Sequence, residues 1–280
     1  DGLAYAIRRH REEPWTLPLF IKNRMLNSFS AGLMSFLIDG ARTILVAGTR
    51  SSGKTSLLGS LMLEILPKHR IIVIEDTLEL PVESMRKLNY DILRMKVRSA
   101  LLKTTSEVSA DDGIRTSLRL GDSSLIVGEI RSLEAKALYE AMRVGALANV
   151  VAGTIHGASP YGVFDRVVND LGVPVTSFKA TDLVVVTNPI KTPDGLHSVR
   201  RLLQLAEVRK HWTKDPEEEG GFVDLLKYNV EKDELEPSED LINGDSEIIK
   251  NIAGGVKGWA GNWDAVYDNI LLRGQIKQEI

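Results

Sequence analysis

The residues best suited to chemistry run from Gly48 to Thr55, Gly48-Thr49-Arg50-Ser51-Ser52-Gly53-Lys54-Thr55, and match G-x-x-x-x-G-K-[ST]. The apolar stretch Thr43-Ile44-Leu45-Val46-Ala47 precedes them and an apolar, helix-like stretch follows. This spacing suits a loop wrapped around an anion. Small residues let the backbone approach closely, successive N–H groups turn inward, and the N-terminus of the next helix adds partial positive charge. Gly48, Ser51, Ser52, Gly53, Lys54, Thr55 and Ser56 are therefore the expected phosphate contacts. Lys54 supplies a point charge for the β- and γ-phosphates of ATP. The Thr55 hydroxyl is a hard oxygen of the kind Mg2+ prefers, shared with the phosphates.

Three further segments end in polar groups after apolar runs. Leu125-Ile126-Val127-Gly128-Glu129 reads as a strand closing on a carboxylate, and the longer reach of Glu over Asp predicts contact with Mg2+ through water. Ile72-Val73-Ile74-Glu75-Asp76-Thr77-Leu78-Glu79 places three acids just beyond another strand. One of them could orient and deprotonate an attacking water. Glu75 and Asp76 serve equally well as caps or salt-bridge partners. Val151-Ala152-Gly153-Thr154-Ile155-His156 ends in an imidazole, expected near the γ-phosphate. Ligands of open parallel sheets bind beyond the carboxyl ends of the strands, so these groups are expected at one edge.

The elements that would position them alternate along the chain. Leu3–Arg8 reads as a short strand, and Pro14 and Pro18 mark an extended connector. Residues 19–39 carry apolar side chains at helical spacing. Apolar runs at 43–47, 71–74, 125–127, 150–152 and 183–186 read as strands covered on both faces. Helices are expected at about 54–66, 133–145 and 160–171. Strands alternating with helices predict an α/β fold with a mostly parallel sheet. Beyond about residue 210 the texture changes: residues 213–280 hold 7 Lys/Arg against 16 Asp/Glu, whereas residues 1–212 hold 28 against 22. The expected division is 1–18 as the end of an N-terminal domain with its linker, 19–210 as the catalytic core, and 211–280 as an acidic C-terminal extension of α+β type. In that extension 262–279 reads as a helix weakened by Gly274, and Trp259 and Trp263 read as docking residues.

Composition excludes several classes. There is no cysteine, so disulfides and thiolate metal sites are absent, and the five histidines have no metal-ligand spacing. No run of about 18 apolar residues encodes a membrane span, and residues 1–20 hold no apolar signal segment. The mild positive balance of residues 1–212 suits a nucleotide and is too weak to argue for nucleic acid.

The order of the boxes carries a resemblance. The phosphate loop (48–55), the acidic box Ile74-Glu75-Asp76-Thr77-Leu78-Glu79-Leu80, Gly128-Glu129-Ile130-Arg131 and Gly153-Thr154-Ile155-His156 together resemble the type II/type IV secretion ATPase superfamily. That group includes the GspE, PilT, PilB and archaeal FlaI motors. The likeness covers about residues 1–190, and the wording of the acidic box is most like the archaeal branch. It implies a RecA-like P-loop core behind a PAS-like N-terminal domain. With the start at Asp1, it predicts a fragment lacking most of that domain. It implies Glu79 as catalytic base, Glu129 as the acid holding Mg2+ through water, and His156 as a γ-phosphate sensor. Lys54 and Arg131 complete the implied catalytic set. Arg115 and Arg119 fall on the family's arginine-bearing helix. Arg8, Arg9 and Arg11 fall where arginines reach nucleotide from the N-terminal side, although either group could equally be salt-bridged surface residues. The resemblance further implies a homo-hexamer at the cytoplasmic face of a membrane, working with a polytopic membrane platform protein on pilin-like filaments or secretion. Gly121-Asp122-Ser123-Ser124 departs from the usual Pro-Asp before the acidic strand.

Other readings stay open on the residues alone. A DNA-translocating ATPase of conjugation or uptake type has a similar core, and salt-sensitive DNA binding would mark it. A small-molecule kinase would need an acceptor pocket and a lid, and a silent scaffold would have no use for Lys54, Glu79 and Glu129.

Overall fold

The computed structural model describes residues 2, 3, 5, 13–98, 108–121, 123–144 and 149–280. Among them, nine strands form one sheet: β1 (Thr43–Gly48), β2 (Ile71–Glu75), β3 (Ile92–Lys96), β4 (Ser124–Ile130), β5 (Val151–His156), β6 (Leu183–Lys191), β7 (Ser198–Val208), β8 (Phe222–Asn229) and β9 (Glu234–Pro237). Their order across the sheet is β3-β2-β4-β5-β1-β6-β7-β8-β9. The first six in that order run parallel. From β6 onward the pairing is antiparallel. The helices are α1 (Leu17–Lys22), α2 (Ser28–Asp39), α3 (Lys54–Met62), α4 (Val82–Lys87), α5 (Ala110–Ser117), α6 (Glu134–Val144), α7 (Pro160–Asp165) with a π turn after it (Arg166–Asp170), α8 (Val175–Phe178), α9 (Glu239–Ile242), α10 (Glu247–Gly254) and α11 (Trp263–Glu279).

Alternation along the strands divides the core into two layers. Ile44 and Val46 of β1 join Val73, α2, α3 and the C-terminal helices on one face. Leu45 and Ala47 join Ile72, Ile74, α6, α7 and Trp212 on the other. Both faces of the central strands are covered, which is why these strands are continuous apolar runs rather than alternating ones.

Three expectations change in detail. The apolar periodicity over 19–39 spans two helices, not one. Asn23 ends α1, the chain turns through Arg24 (φ 55°), and Asn27 starts α2 with a reciprocal cap: its side chain accepts from Ser30 N while Ser30 Oγ accepts from Asn27 N. The strand expected at 3–8 falls mostly outside the described residues, with Leu3 and Tyr5 exposed and in no element. Gly274, read as a weak point of α11, is where α11 packs against α2. A Cβ there would sit 2.4 Å from Ser28 O, and one at Gly32 would sit 2.2 Å from Ile270 O. Val266, Ile270 and Gly274 form the buried stripe of α11, one turn apart.

The compositional change near residue 210 coincides with no break in the sheet. β8 pairs with β7 from Val208↔Phe222 to Gln204↔Lys227, and β9 follows on β8. The Trp259 ring packs tilted against Phe36 with centroids 5.6 Å apart, and Trp263 donates its indole N–H to Ile242 O at 2.9 Å.

Candidate active site

The phosphate loop leaves the sheet at its centre. In register, Gly48 lies between His156 of β5 and Thr187 of β6. A side chain at Gly48 would meet Thr187 O at 2.1 Å and Ser52 Oγ at 2.4 Å, so only glycine fits between these strands. The loop then runs through left-handed Ser51 (φ 61°) and Gly53 (φ 96°) before α3, whose first N–H groups no side chain caps. That end of α3 is built to receive an anion. Lys54 is buried at 8% exposure and donates from Nζ to Thr49 O at 2.7 Å, which folds its ammonium back over the loop.

Sequence reasoning missed the groups that hold this loop from the far side. Asn188 Oδ1 accepts from both Thr49 N and Thr49 Oγ1 at 2.9 Å, the Ser52 and Thr187 hydroxyls lie 3.2 Å apart, and Arg200 Nε donates to Ser51 O at 2.8 Å. For Thr187 and Asn188 the signal was present: a polar pair directly follows the apolar run Leu183–Val186, as Glu129 and His156 follow theirs. Arg200 comes from an antiparallel strand and gave no local signal.

The acidic loop is organised by its first member. Glu75 is buried at the end of β2, where Oε1 accepts from Glu79 N at 2.9 Å and Leu80 N at 2.8 Å, and Oε2 lies 3.4 Å from Arg94 Nε. Burial pushes its carboxyl above the usual carboxylate range, against the two backbone bonds and the Arg94 charge. Gly128 makes room for it, since a Cβ there would meet Glu75 Cγ at 3.0 Å. Glu75 therefore ties the chain into the turn that brings Glu79, half-buried, onto the cleft.

Across the cleft, β4 and β5 shift register between Val127 and Ile130, and Thr154 Oγ1 donates to Gly128 O at 2.6 Å beside the irregularity. The bulge turns Glu129 toward its neighbours, a common use of such irregularities. Glu129 Oε1 lies 3.2 Å from His156 Nε2 and Oε2 lies 3.3 Å from Arg131 Nη2. The same Arg131 nitrogen also bonds Asp76, while Glu134 accepts from Arg131 N at 2.6 Å and Ser132 N at 2.8 Å, fixing the turn into α6. His156 is held below the ordinary imidazole pKa, first by burial and then by Lys54, with Glu129 opposing. It is neutral at neutral pH.

These groups face one cleft of about 380 Å³, lined by Arg50 to Ser56 on one side and by Glu79, Glu129, Arg131 and His156 on the other. Of the residues expected from sequence, Ser51, Ser52, Gly53, Lys54, Thr55, Ser56, Glu79, Glu129, Arg131 and His156 come together there, with Gly48 at the base of the loop. Arg115 and Arg119 are exposed and not among the lining residues; Arg115 pairs with Asp111 at 3.4 Å and Glu140 at 3.2 Å. Arg8, Arg9 and Arg11 lie outside the described residues. Ser51, Gly53 and Ser56 also line a second cleft on the other side of the loop, with Trp15, Phe20, Met25 and Arg200. Among the described residues no group of three or more His, Asp or Glu could hold a metal alone. Thr55 and Glu129 offer two hard oxygens on the first cleft, a donor set that fits Mg2+ arriving with phosphate and keeping waters.

Comparison with known proteins places the chain in a family. Residues 2–198 match the family model "Type II/IV secretion system protein". Among curated proteins, the chain is 30% identical over 218 residues to the "Uncharacterized protein MJ1287" of Methanocaldococcus jannaschii, covering 78% of this chain and 74% of that one. It is 25% identical over 169 residues to "Conjugal transfer protein TrbB" of Rhizobium radiobacter, covering 59% of this chain and 48% of that one. Among solved structures, the VirB11 ATPase of the Brucella suis type IV secretion system superposes with a TM-score of 0.52 at 22% identity, covering 68% of this chain and 54% of that one. The pilus retraction motor PilT superposes with a TM-score of 0.51 at 18% identity, covering 88% and 61%. The fold is thus that of the RecA-like secretion ATPases, an α/β core with a mostly parallel sheet. The chain belongs to the type II/IV secretion system protein family.

Proposed function

We propose that this chain is the ATP-hydrolysing module of a motor that drives assembly of pilin-like filaments or secretion. The observation that carries the proposal is the single cleft joining the phosphate loop to Glu79, Glu129 and His156 at neighbouring strand ends. In this reading ATP lays its polyphosphate along the loop and Lys54. A water attacks the γ-phosphorus, its proton passes to Glu79, the bond to the β-phosphate oxygen breaks, and ADP and phosphate leave. Mg2+ would be held by Thr55 and Glu129 and would neutralise phosphate charge. Neutral His156, bridged to Glu129 and thence to Arg131, is placed to respond when the γ-phosphate departs. The second cleft, apolar at Trp15 and Phe20, takes the nucleoside. Arg8, Arg9, Arg11, Arg115 and Arg119 complete nucleotide sites within a homo-hexamer. The ring sits at the cytoplasmic face of the membrane against a polytopic platform protein, and no described helix is long and apolar enough to cross a membrane. The Methanocaldococcus relative supports an archaeal lineage.

The conjugal-transfer name of one relative favours a second reading, a DNA-translocating motor on the same core. The weak positive balance of residues 1–212 argues against it. The test is Mg2+-dependent phosphate release from ATP at several protein concentrations. Wild type should turn over faster per chain as concentration rises. Glu79→Gln should bind ATP yet lose about 100-fold or more in rate, and Lys54→Ala should bind poorly. Full activity in Glu79→Gln would remove Glu79 as base. DNA binding that falls steeply with salt would favour the second reading.

A further inference from the structure

Arg200 stands where the phosphate loop meets the second cleft. Its Nε donates to Ser51 O at 2.8 Å, and its Cδ would lie 3.5 Å from a Cβ on Gly53. The stem therefore crosses the loop at the glycine that starts α3. Among the described residues its two Nη groups have no hydrogen-bond partner, and the side chain lines the cleft that holds Trp15, Phe20 and Met25. An arginine with one edge fixed on a backbone carbonyl and the other edge open is pre-organised for an anion.

Its neighbour explains how the position is kept. Side chains alternate along β7, and Arg201 points to the opposite face, where only 7% of it is exposed. There Arg201 makes a two-pronged bond with Asp233, Nε to Oδ1 at 2.7 Å and Nη2 to Oδ2 at 2.8 Å, and Tyr228 OH donates to the same Oδ1 at 2.6 Å. Leu202 N donates to Met25 O at 2.8 Å, tying the strand to the turn before α2. The β8–β9 hairpin thus clamps β7 one residue from the phosphate loop. Arg200 lies beyond the part of the chain matched by the family model, which ends at 198.

We infer that Arg200 is a nucleotide-binding residue whose Nη groups hold the phosphate nearest the ribose, with Arg201 as a positioning residue and Asp233 as its partner supplied by the acidic extension. The inference rests on nucleotide binding at the loop. Its charge lies on the nucleoside side, opposite Glu79, Glu129 and His156, so it serves retention of ADP as much as of ATP. Departure of the γ-phosphate leaves it engaged.

The test is calorimetric titration of ADP and of inorganic pyrophosphate, each with Mg2+, into the 280-residue chain and into Arg200→Gln, Arg200→Lys and Lys54→Ala. Arg200→Gln should weaken ADP about tenfold, the size of one lost charge-assisted bond, and pyrophosphate less than about twofold, since pyrophosphate can sit wholly on the loop and Lys54. Arg200→Lys should recover part of the ADP loss. Asp233→Asn, which leaves Arg200 intact, should weaken ADP in the same direction by a smaller factor. Equal losses for both ligands would mean that Arg200 only braces the loop, and the inference would fall. No loss of ADP in Arg200→Gln would also overturn it, while Lys54-dependent ADP binding by wild type kept the nucleotide reading intact. Wild type that binds no ADP would remove both.

Discussion

Replacing Gly274 by alanine sets helix propensity against packing, and the structure fixes the sign. In an unpacked helix the change stabilises by about 0.8–1 kcal/mol, because glycine loses more backbone freedom on folding. At Gly274 the new Cβ would stand 2.4 Å from Ser28 O and 2.9 Å from Ser28 C, where ordinary contact begins at 3.4 Å. The obstacle is backbone at the start of α2, so no rotamer relieves it. α11 and α2 must separate by roughly 1 Å, and overpacking of this kind costs about 1–3 kcal/mol. The pair cannot part freely: Arg273 Nη2 holds Asp39 of α2 at 2.6 Å, and Lys277 Nζ ties α11 to Glu64 just past α3 at 2.7 Å. The expected net is a loss of up to about 2 kcal/mol. Gly254 is the control, since it lies in α10 with nothing within 4 Å of its Cβ, and alanine there should be neutral or mildly stabilising. Urea unfolding of both variants measures the difference as a shift in midpoint at constant slope. A Gly274→Ala protein as stable as wild type would show that the two helices are not in this contact, and with it that the residues after 210 are less firmly joined to the core.

Three further outcomes follow from the site. Glu75→Ala strips the partner from two backbone N–H groups and should cost about 2–3 kcal/mol in urea unfolding, while Glu79→Ala should cost less than about 1 kcal/mol; equal costs would remove the anchoring role of Glu75. The His156 ring should titrate below the ordinary imidazole value of about 6.5 in an NMR pH series, with Lys54→Ala raising the midpoint and Glu129→Gln lowering it. Because its folded pKa is depressed, the stability it contributes is present above about 6.5 and is lost as pH falls through the folded value; a midpoint above 6.5 would contradict the geometry. Asp233, held down to about 2 by Arg201 and Tyr228, should contribute stability that is lost only as pH falls from about 4 toward 2, and Asp233→Asn should flatten the acid limb of the stability curve.

Much of this site was legible in the sequence because its parts are local. A strand buried on both faces shows as an unbroken apolar run, and a polar residue ending such a run falls at the ligand-binding edge. Glu129 and His156 could be placed by that rule before any coordinates. The break between α1 and α2 was hidden because Phe20, Met25, Leu26 and Leu33 all enter one core, so apolar spacing ran straight through the turn at Asn23–Asn27. β8 was hidden because only Leu225 and Leu226 of it are fully buried, too few to show a period. The value of Gly274 and of Arg200 is purely tertiary, since each depends on a backbone far away in sequence, Ser28 in one case and Ser51 in the other.

Four carboxylates crowd the edge of β2 and β4. Their partners separate them. Glu75 is committed to backbone N–H groups and Arg94, Asp76 to Arg131 and to Thr77 N at 2.7 Å, and Glu129 to His156 and Arg131. These contacts hold the three carboxylates at set positions around the cleft. Glu79 rides on the turn that Glu75 anchors, half-buried and facing the loop. Loss of either Glu75 or Glu79 should abolish turnover, but for different reasons: the first by letting the loop drift, the second by removing the proposed base. Only stability, measured beside activity, tells the two apart.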